Sequence, residues 1–410
     1  MKVNMDVLMK RIEEIYACGL QEDGTHTRMA YSEEDRRGKS LYLSYAKNSG
    51  LSGRMDEAGN LFVRLEGKEA LPAILMGSHL DTVPDGGKYD GVLGSLAALG
   101  VLEAYVSSGT VPRHPLEAAV YTDEEGFRFG TGLLGSTAIC GLEKAPDGNE
   151  TDIYGKTRKE VMEEAGLSPE RTAMAKRDPD DIFCTLELHI EQGGVLDREG
   201  IPVGVVSAIA GVSRFEITVT GQANHAGSTM MTDRKDALVA ASRLIGEVPD
   251  VVRENGNAFT VATVGTIQVT PHSVNVIPGT CTFSLEIRDQ TGEGMRRIRD
   301  RLFERMDEIC TKQGVEWSWK ETLFHDPAPM SELVTGAEKK ALADLGYPYM
   351  ELPSGAFHDS LIMSGFFPTG MIFVPSEGGI SHSREEFTRP DDMEKGCDVL
   401  LAAVQELDRM

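Results

Sequence analysis

Apolar residues recur every three or four positions from Met5 through Leu8 and Ile12 to Ile15 and Tyr16, the spacing of a helix with one buried face. Ser32 followed by Asp35 resembles a capping box and marks the start of a second helix. The pattern then changes. LFVRLEG and LPAILMGSHLD are short strand-like runs, and the second is continuous enough in apolar residues to be a central strand buried on both faces. A helix is expected from Gly91 to Val106, with further buried strands at Leu116 to Thr122 and Ile182 to His189. Strand followed by helix predicts an α/β layer, and each of these strands ends in polar residues, where an open α/β sheet places its site.

Around Gly211 the texture shifts. SRFEITVTG alternates apolar and polar residues with period two, which suits a half-exposed antiparallel strand, so a domain boundary is expected here. Beyond it the pattern predicts a helix from Asp233 to Ile245, strands in AFTVATVGTIQV and GTCTFSLEIRD, a long charged helix from Gly292 to Lys312, and the strand VEWSWKETL. After Asp326-Pro327 a helix (Ser331 to Leu345), a strand (Thr369 to Val374) and a last helix (Asp391 to Leu407) return to the first layer. The expected division is residues 1–210 with 326–410 as one domain, and 211–325 as an inserted α+β domain.

Length supports that division, since 410 residues are many for one core. The 65 acidic against 41 basic residues give a formal charge of -24, a field that repels phosphate backbones and anionic lipid surfaces, so neither nucleic acid nor membrane is expected as a partner. The longest apolar stretch, GVLGSLAALGVLEAYV, contains a glutamate and is shorter than the roughly 20 residues a bilayer demands. The six cysteines contain no CxxC pair and read as free buried thiols, and the N-terminus has no signal-peptide pattern. A cytoplasmic location is therefore expected.

The strongest chemical signal is MGSHLDTVPDGGKYDG. His79 and Asp81 stand two apart at a strand end and so point to one side, which leaves His79 able to bind metal and Asp81 placed to hold its other ring nitrogen. Asp90 follows eleven residues after His79, beyond a Pro-Asp-Gly-Gly turn that can fold the chain back, and its two oxygens could bridge two ions. In YTDEEGFRFG the adjacent Glu124 and Glu125 cannot share one direction on extended backbone, so one can ligate metal while the other moves a proton. His189 in LELHIEQGG and His382 in GGISHSREEF complete a nitrogen and oxygen set of the kind borderline divalent metals accept. Two ions roughly 3.5 to 4 Å apart lower the pKa of water and polarise a scissile carbonyl. His26, His114, His272 and His325 lack such companions and read as surface or capping residues.

Taken together, GSHLDTVPDGGKYDGVLG, TDEEGFRFG, LELHIEQGGVLD, GQANHAGSTMMTDRKDA, NVIPGTCTFSLEIRD, SGAFHD and MIFVPSEGGISHSREEF resemble, in order and over nearly the whole chain, the M20 metallopeptidase superfamily. The resemblance is to its amidase/hydantoinase/carbamoylase branch, which holds N-carbamoyl-L-amino-acid hydrolases, allantoate amidohydrolases and β-ureidopropionases. The short His79 to Asp90 spacing is similar to that branch, whereas the peptidase branches usually put a much longer segment there. The resemblance implies a mixed-sheet dinuclear-metal catalytic domain of the α/β class, with the insert as a lid and dimerisation domain.

By the same resemblance His79, Asp90 and His189 hold one ion, and Asp90, Glu125 and His382 the other, with zinc or manganese, or else cobalt or nickel. Glu124 is then the general base, Gln192 lies beside the substrate, His225 stabilises the oxyanion, and Asn275 with Arg288 clamps the substrate carboxylate. His358 is a further candidate for substrate contact. The implied reaction is hydrolysis of a ureido group on a small carboxylate-bearing substrate, an N-carbamoyl-L-amino acid or, alternatively, allantoate, by a homodimer. Two other functions compete. The His79 to Asp90 spacing and the Asn275 and Arg288 pair argue against a dipeptidase or deacylase, and keeping every ligand together with Glu124 argues against a non-catalytic binding protein. Phe127, Phe357 and Met230 depart from the branch, which commonly has a small residue, a glycine and a proline there, and this puts the substrate side chain in question.

Overall fold

The computed structural model describes residues 1–142 and 146–410, and these divide into two compact units, Met1–Ser207 with Met330–Met410 and Ala208–Pro329. The first unit is built on a mixed sheet. Across it the strands run in the order Ser52–Met55, Leu61–Leu65, Leu116–Tyr121, Ala73–His79, Ile182–Ile190, Thr369–Val374 and Val203–Ile209. The four central strands are parallel and the flanking ones antiparallel. Ala73–His79, Leu116–Tyr121 and Thr369–Val374 are buried at every position, as largely apolar strands covered on both faces are, and the buried Glu117 among them pairs with Arg64 and Arg177.

The covering layer includes the helices Met5–Gly19, Val92–Ser108 and Pro390–Leu407. Leu8, Ile12 and Ile15 of the first, Leu96 and Leu99 of the second and Leu400 and Val404 of the last join one core with Leu186, Leu188 and Ile372 of the sheet. Each such side chain contributes about 1.5 to 3 kcal/mol on burial. Helix Glu33–Asn48 begins with half of the expected capping box: Ser32 Oγ accepts from Asp35 N, but the Asp35 carboxylate accepts from Tyr31 N and pairs with Lys39 at 3.1 Å. His26 and His114 are not surface residues. His26 is fully buried, stacked on Tyr16 with Nδ1 3.2 Å from Gly86 O, and His114 is buried with Nδ1 2.8 Å from Pro72 O. In each case a main-chain carbonyl far along the chain takes up Nδ1, and His26 Nε2 lies 3.1 Å from the Arg28 guanidinium.

The second unit is an antiparallel sheet with two helices. Gly211–Thr220 pairs with Thr280–Asp289 along its whole length, and Glu316–His325 lies on its other side. Thr280–Asp289 alternates between buried and half-buried positions, and the buried set, including Phe283 and Leu285, packs with Phe215, Leu244 and Leu302. Helix Ala237–Asn255 runs ten residues past Ile245, straight through Pro249. Leu244, Val248 and Val251 continue one buried stripe across the proline, and their packing outweighs the cost of about 3 kcal/mol that an interior proline imposes. The expected strand in AFTVATVGTIQV divides into Val261–Thr263 and Ile267–Thr270, because Gly265 N and Thr266 N donate to Ser284 Oγ instead of to a ladder. All six cysteines are free and buried. Among the described residues no helix is long and apolar enough to cross a membrane.

Candidate active site

Because the four central strands are parallel, their carboxyl ends lie along one edge of the sheet, and the candidate residues of this unit come from there. His79 ends its strand, and Asp90 lies in the turn that opens helix Val92–Ser108. Glu124 and Glu125 follow Leu116–Tyr121, His189 stands in Ile182–Ile190 with Gln192 just beyond, and His382 lies in the loop after Thr369–Val374. His79 Nδ1 is 2.9 Å from Asp81 O, and His189 Nδ1 is 2.9 Å from Ile190 O. A carbonyl only accepts, so each ring keeps a proton on Nδ1, which leaves Nε2 as the nitrogen that faces the site and could ligate a metal.

Both Nε2 atoms meet the same carboxylate oxygen: His79 lies 3.4 Å and His189 3.2 Å from Asp90 Oδ1. The other oxygen, Oδ2, faces His382 Nε2 at 3.4 Å. Ligand atoms about 2.05 Å from a tetrahedral ion stand about 3.3 Å apart, so these separations are those of donors that could share an ion. Among the described residues four groups of potential ligands result, and two of them, His79 with Asp90 and His189, and Asp90 with Glu125 and His382, meet at Asp90; the others are Glu187 with His189 and His358, and His79 with Glu124 and Glu125. Gly91 is required beside it: its φ is +65°, and a Cβ there would lie 2.5 Å from the His79 ring.

Both glutamates stand with His79 in one group of potential ligands, but they contact different imidazoles. Glu124 Oε2 is 3.8 Å from His79 Nε2, whereas Glu125 Oε2 is 3.6 Å from His382 Nε2. Asp123, at φ 57°, supplies the left-handed residue that turns the chain out of the strand ahead of them. The Asp81 carboxylate does not hold the imidazole of His79, as the HxD pattern suggests. Its main-chain carbonyl does that, and its two side-chain oxygens accept from Glu124 N at 3.3 Å and Glu125 N at 3.1 Å. The reason is geometric: Asp81 lies beyond the strand end, and the main chain there turns its carbonyl to the ring, leaving the Asp81 carboxylate 4.0 Å from Nδ1.

Charge is concentrated here. Burial pushes the Glu124 carboxyl well up, and the neighbouring Glu125 pushes it further, while burial and Asp90 raise Glu125 to about 7. Asp90 is held far below the ordinary carboxylate range because His189, with the hydrogen bonds from its imidazole partners, outweighs the cost of burial. His382 is raised to about 9 by its hydrogen bond to Asp90. So many carboxylates buried together favour a dication, and the Glu124 carboxyl beside His79 stands where it could take and give a proton.

Gln192 Nε2 donates to Asp90 Oδ2 at 2.7 Å and lies 3.3 Å from His382 Nε2. Gln192 and His382 both adopt left-handed backbone, at φ 56° and 52°. His358 is buried, with Nε2 2.8 Å from Ser354 Oγ and its ring edge-on to His189 at 4.5 Å, so it packs behind a candidate ligand. Two buried glutamates had no role in the sequence reading. Glu187, two residues before His189, accepts from Ser78 Oγ and Ser360 Oγ, and Glu386, four after His382, accepts from Tyr89 N and Asp90 N. Their proximity to ligand histidines was the available signal. In the second unit His225 and Asn275 stand together: Asn275 O accepts from Ala226 N, and His225 pairs with Val276 on short antiparallel strands. Arg288 stands on Thr280–Asp289, its Nε donating to Glu286 at 2.8 Å.

Histidines and carboxylates that could hold metal at the carboxyl edge of a mixed α/β sheet fit a metal-dependent hydrolase. Residues 75–406 match the model of peptidase family M20/M25/M40. The chain is 39% identical to an N-carbamoyl-L-amino acid amidohydrolase of Geobacillus stearothermophilus, over 98% of both proteins, and 35% identical to an allantoate amidohydrolase of Bacillus subtilis, over 97% of this chain and 96% of the relative. A solved hydantoinase/carbamoylase-family amidase from Burkholderia multivorans superposes with a TM-score of 0.90 at 33% identity, covering 99% of this chain and 98% of that one. The chain belongs to peptidase family M20/M25/M40, in its hydantoinase/carbamoylase amidase branch, and it is an amidohydrolase.

Proposed function

We propose that this amidohydrolase cleaves the ureido C–N bond of an N-carbamoyl-L-amino acid, with water entering and the free amino acid, ammonia and carbon dioxide leaving. The observation that carries this reading is the Asp90 carboxylate, one oxygen set between His79 and His189 and the other against His382, with Glu124 beside His79. His79, Asp90 and His189 are assigned to one divalent ion and Asp90, Glu125 and His382 to a second, of zinc or manganese, with cobalt and nickel also compatible with this donor set. Such ions, when bound, lower the pKa of water and polarise the scissile carbonyl.

Glu124 is the proposed general base: its raised carboxyl takes a proton from the attacking water and delivers it to the leaving nitrogen. Asp81, by holding the Glu124 and Glu125 amides, fixes where that carboxyl stands. Gln192, donating to Asp90, lies where the substrate would meet the ligands. The family resemblance supports an oxyanion role for His225 and a carboxylate clamp of Asn275 and Arg288, whose planar fork suits two parallel hydrogen bonds. The same proposal includes a lid and homodimer contact in the inserted unit, testable by sedimentation.

Metal-stripped protein reloaded with manganese or zinc is offered N-carbamoyl-L-amino acids, allantoate, N-acetyl amino acids and dipeptides, with ammonia and free amine both followed. Metal-dependent ammonia release from the carbamoyl amino acids alone is the expected outcome. Turnover of allantoate alone moves the substrate to the alternative ureido class, and turnover confined to acyl or peptide substrates overturns the ureido reading.

A further inference from the structure

Glu386 is buried, at 3% exposure, in the loop just beyond His382. Its Oε1 accepts from two successive main-chain amides, Tyr89 N at 2.9 Å and Asp90 N at 3.1 Å, nearly three hundred positions away in the chain. Its Oε2 accepts from Ser381 Oγ at 2.8 Å, and that hydroxyl also lies 3.1 Å from Asp90 Oδ2, the oxygen that faces His382. One carboxylate therefore ties the loop that carries Asp90 to the loop that carries His382. Gly87 makes room for it: a Cβ at that position would overlap the Glu386 carboxylate. A charged acceptor buried against two amides and a hydroxyl fixes its neighbours more firmly than a neutral one, because such bonds are roughly twice as strong.

The two candidate ion positions do not depend on this tie equally. His79 and His189 stand on central strands, with rings locked by Asp81 O and Ile190 O. His382 sits in a loop on left-handed backbone, its side chain 49% exposed. We propose that Glu386 is a positioning residue that sets the Asp90 carboxylate and the His382 loop against each other, so that the Asp90–Glu125–His382 position binds its ion tightly only when a side-chain oxygen at 386 holds the two loops together. This inference rests on the two-ion reading above. Glu187 has a similar build behind His189 and Ser78, but it joins residues the sheet already holds, so nothing further follows from it.

The test is calorimetric titration of the metal-stripped full chain with manganese ions, for wild type, Glu386→Ala, Glu386→Gln and Ser381→Ala, with thermal unfolding of each. Removing a partner that orients a ligand weakens metal binding about 10- to 100-fold. The expected result is a loss of that size in the second uptake for Glu386→Ala, with the first unchanged and the weakened uptake largely restored in Glu386→Gln, which keeps an oxygen for the two amides. Two unaltered uptakes in Glu386→Ala overturn the proposal, as does equal weakening of both together with a lowered melting temperature, the mark of a merely structural clamp. If Glu386→Ala fails to fold, Ser381→Ala decides: weakened second uptake alone supports the tie, and unaltered uptake overturns it. A wild type that takes up fewer than two ions overturns the two-ion reading itself, and the role of Glu386 with it.

Discussion

His189 and His382 face opposite oxygens of one carboxylate and are held in opposite ways. The His189 side chain is fully buried on a central strand, its proton committed to Ile190 O. The His382 side chain is half exposed in a loop, raised to about 9 by Asp90 and set by Asp90, Glu125 and Gln192. The same contrast divides the adjacent glutamates, with Glu124 on the His79 side and Glu125 on the His382 side. A donor on a buried strand is already in place before any ion arrives, whereas a loop donor must be ordered by its ligand, and ordering costs conformational entropy. The two halves should therefore differ in affinity and in what their loss does.

The largest effect is expected at Glu124. Glu124→Gln keeps shape and loses the proton acceptor, so kcat should fall by about 10²- to 10⁴-fold with metal content unchanged; near-normal turnover in steady-state assays would remove Glu124 from the role of base. His189→Ala should come next, with loss of tight uptake at the buried position, because it leaves Asp90 Oδ1 with one imidazole partner fewer. His382→Ala should weaken only the second uptake, and equal losses in both variants by calorimetry would erase the contrast between the two halves. Chelation should act in two stages, the loop-side ion leaving first. An ion present at 100 times its Kd contributes about 2.7 kcal/mol, so each departure should lower the melting point by several degrees, and one single step in a chelator titration would break the comparison. The smallest change is expected from Asp81→Asn: one amide oxygen replaces two acceptors, and kcat should fall about tenfold with KM little changed, as measured on the preferred ureido substrate.

Much of this was legible in the chain. LPAILMGSHLD and IFCTLELHI are rich in apolar residues without a period-two alternation, as strands covered on both faces are, so the central sheet and the histidines at its ends followed from pattern. Alternation in SRFEITVTG likewise predicts an antiparallel strand, and Gly211–Thr220 is one. Less was visible where the contact is remote. The role of Asp81 depends on how the main chain turns after a strand end, and an HxD motif is equally compatible with a carbonyl or a carboxylate on the imidazole. His26 and His114 are buried rather than at the surface, and the main-chain oxygens that take up their Nδ1 atoms, Gly86 O and Pro72 O, come from far along the chain.

The sequence by itself determined the donor types, the order in which they occur and the family to which they belong, since ligand chemistry is a property of side chains and periodicity is a property of local backbone. Which oxygen of Asp90 each imidazole meets, which glutamate stands with which group, and the use of Glu386 as a tie between loops were decided only by the tertiary structure. Those are distances between residues up to about three hundred positions apart, and they are set by the register of four parallel strands and by two left-handed residues in the loops, Gln192 and His382, quantities that no local pattern of the chain encodes.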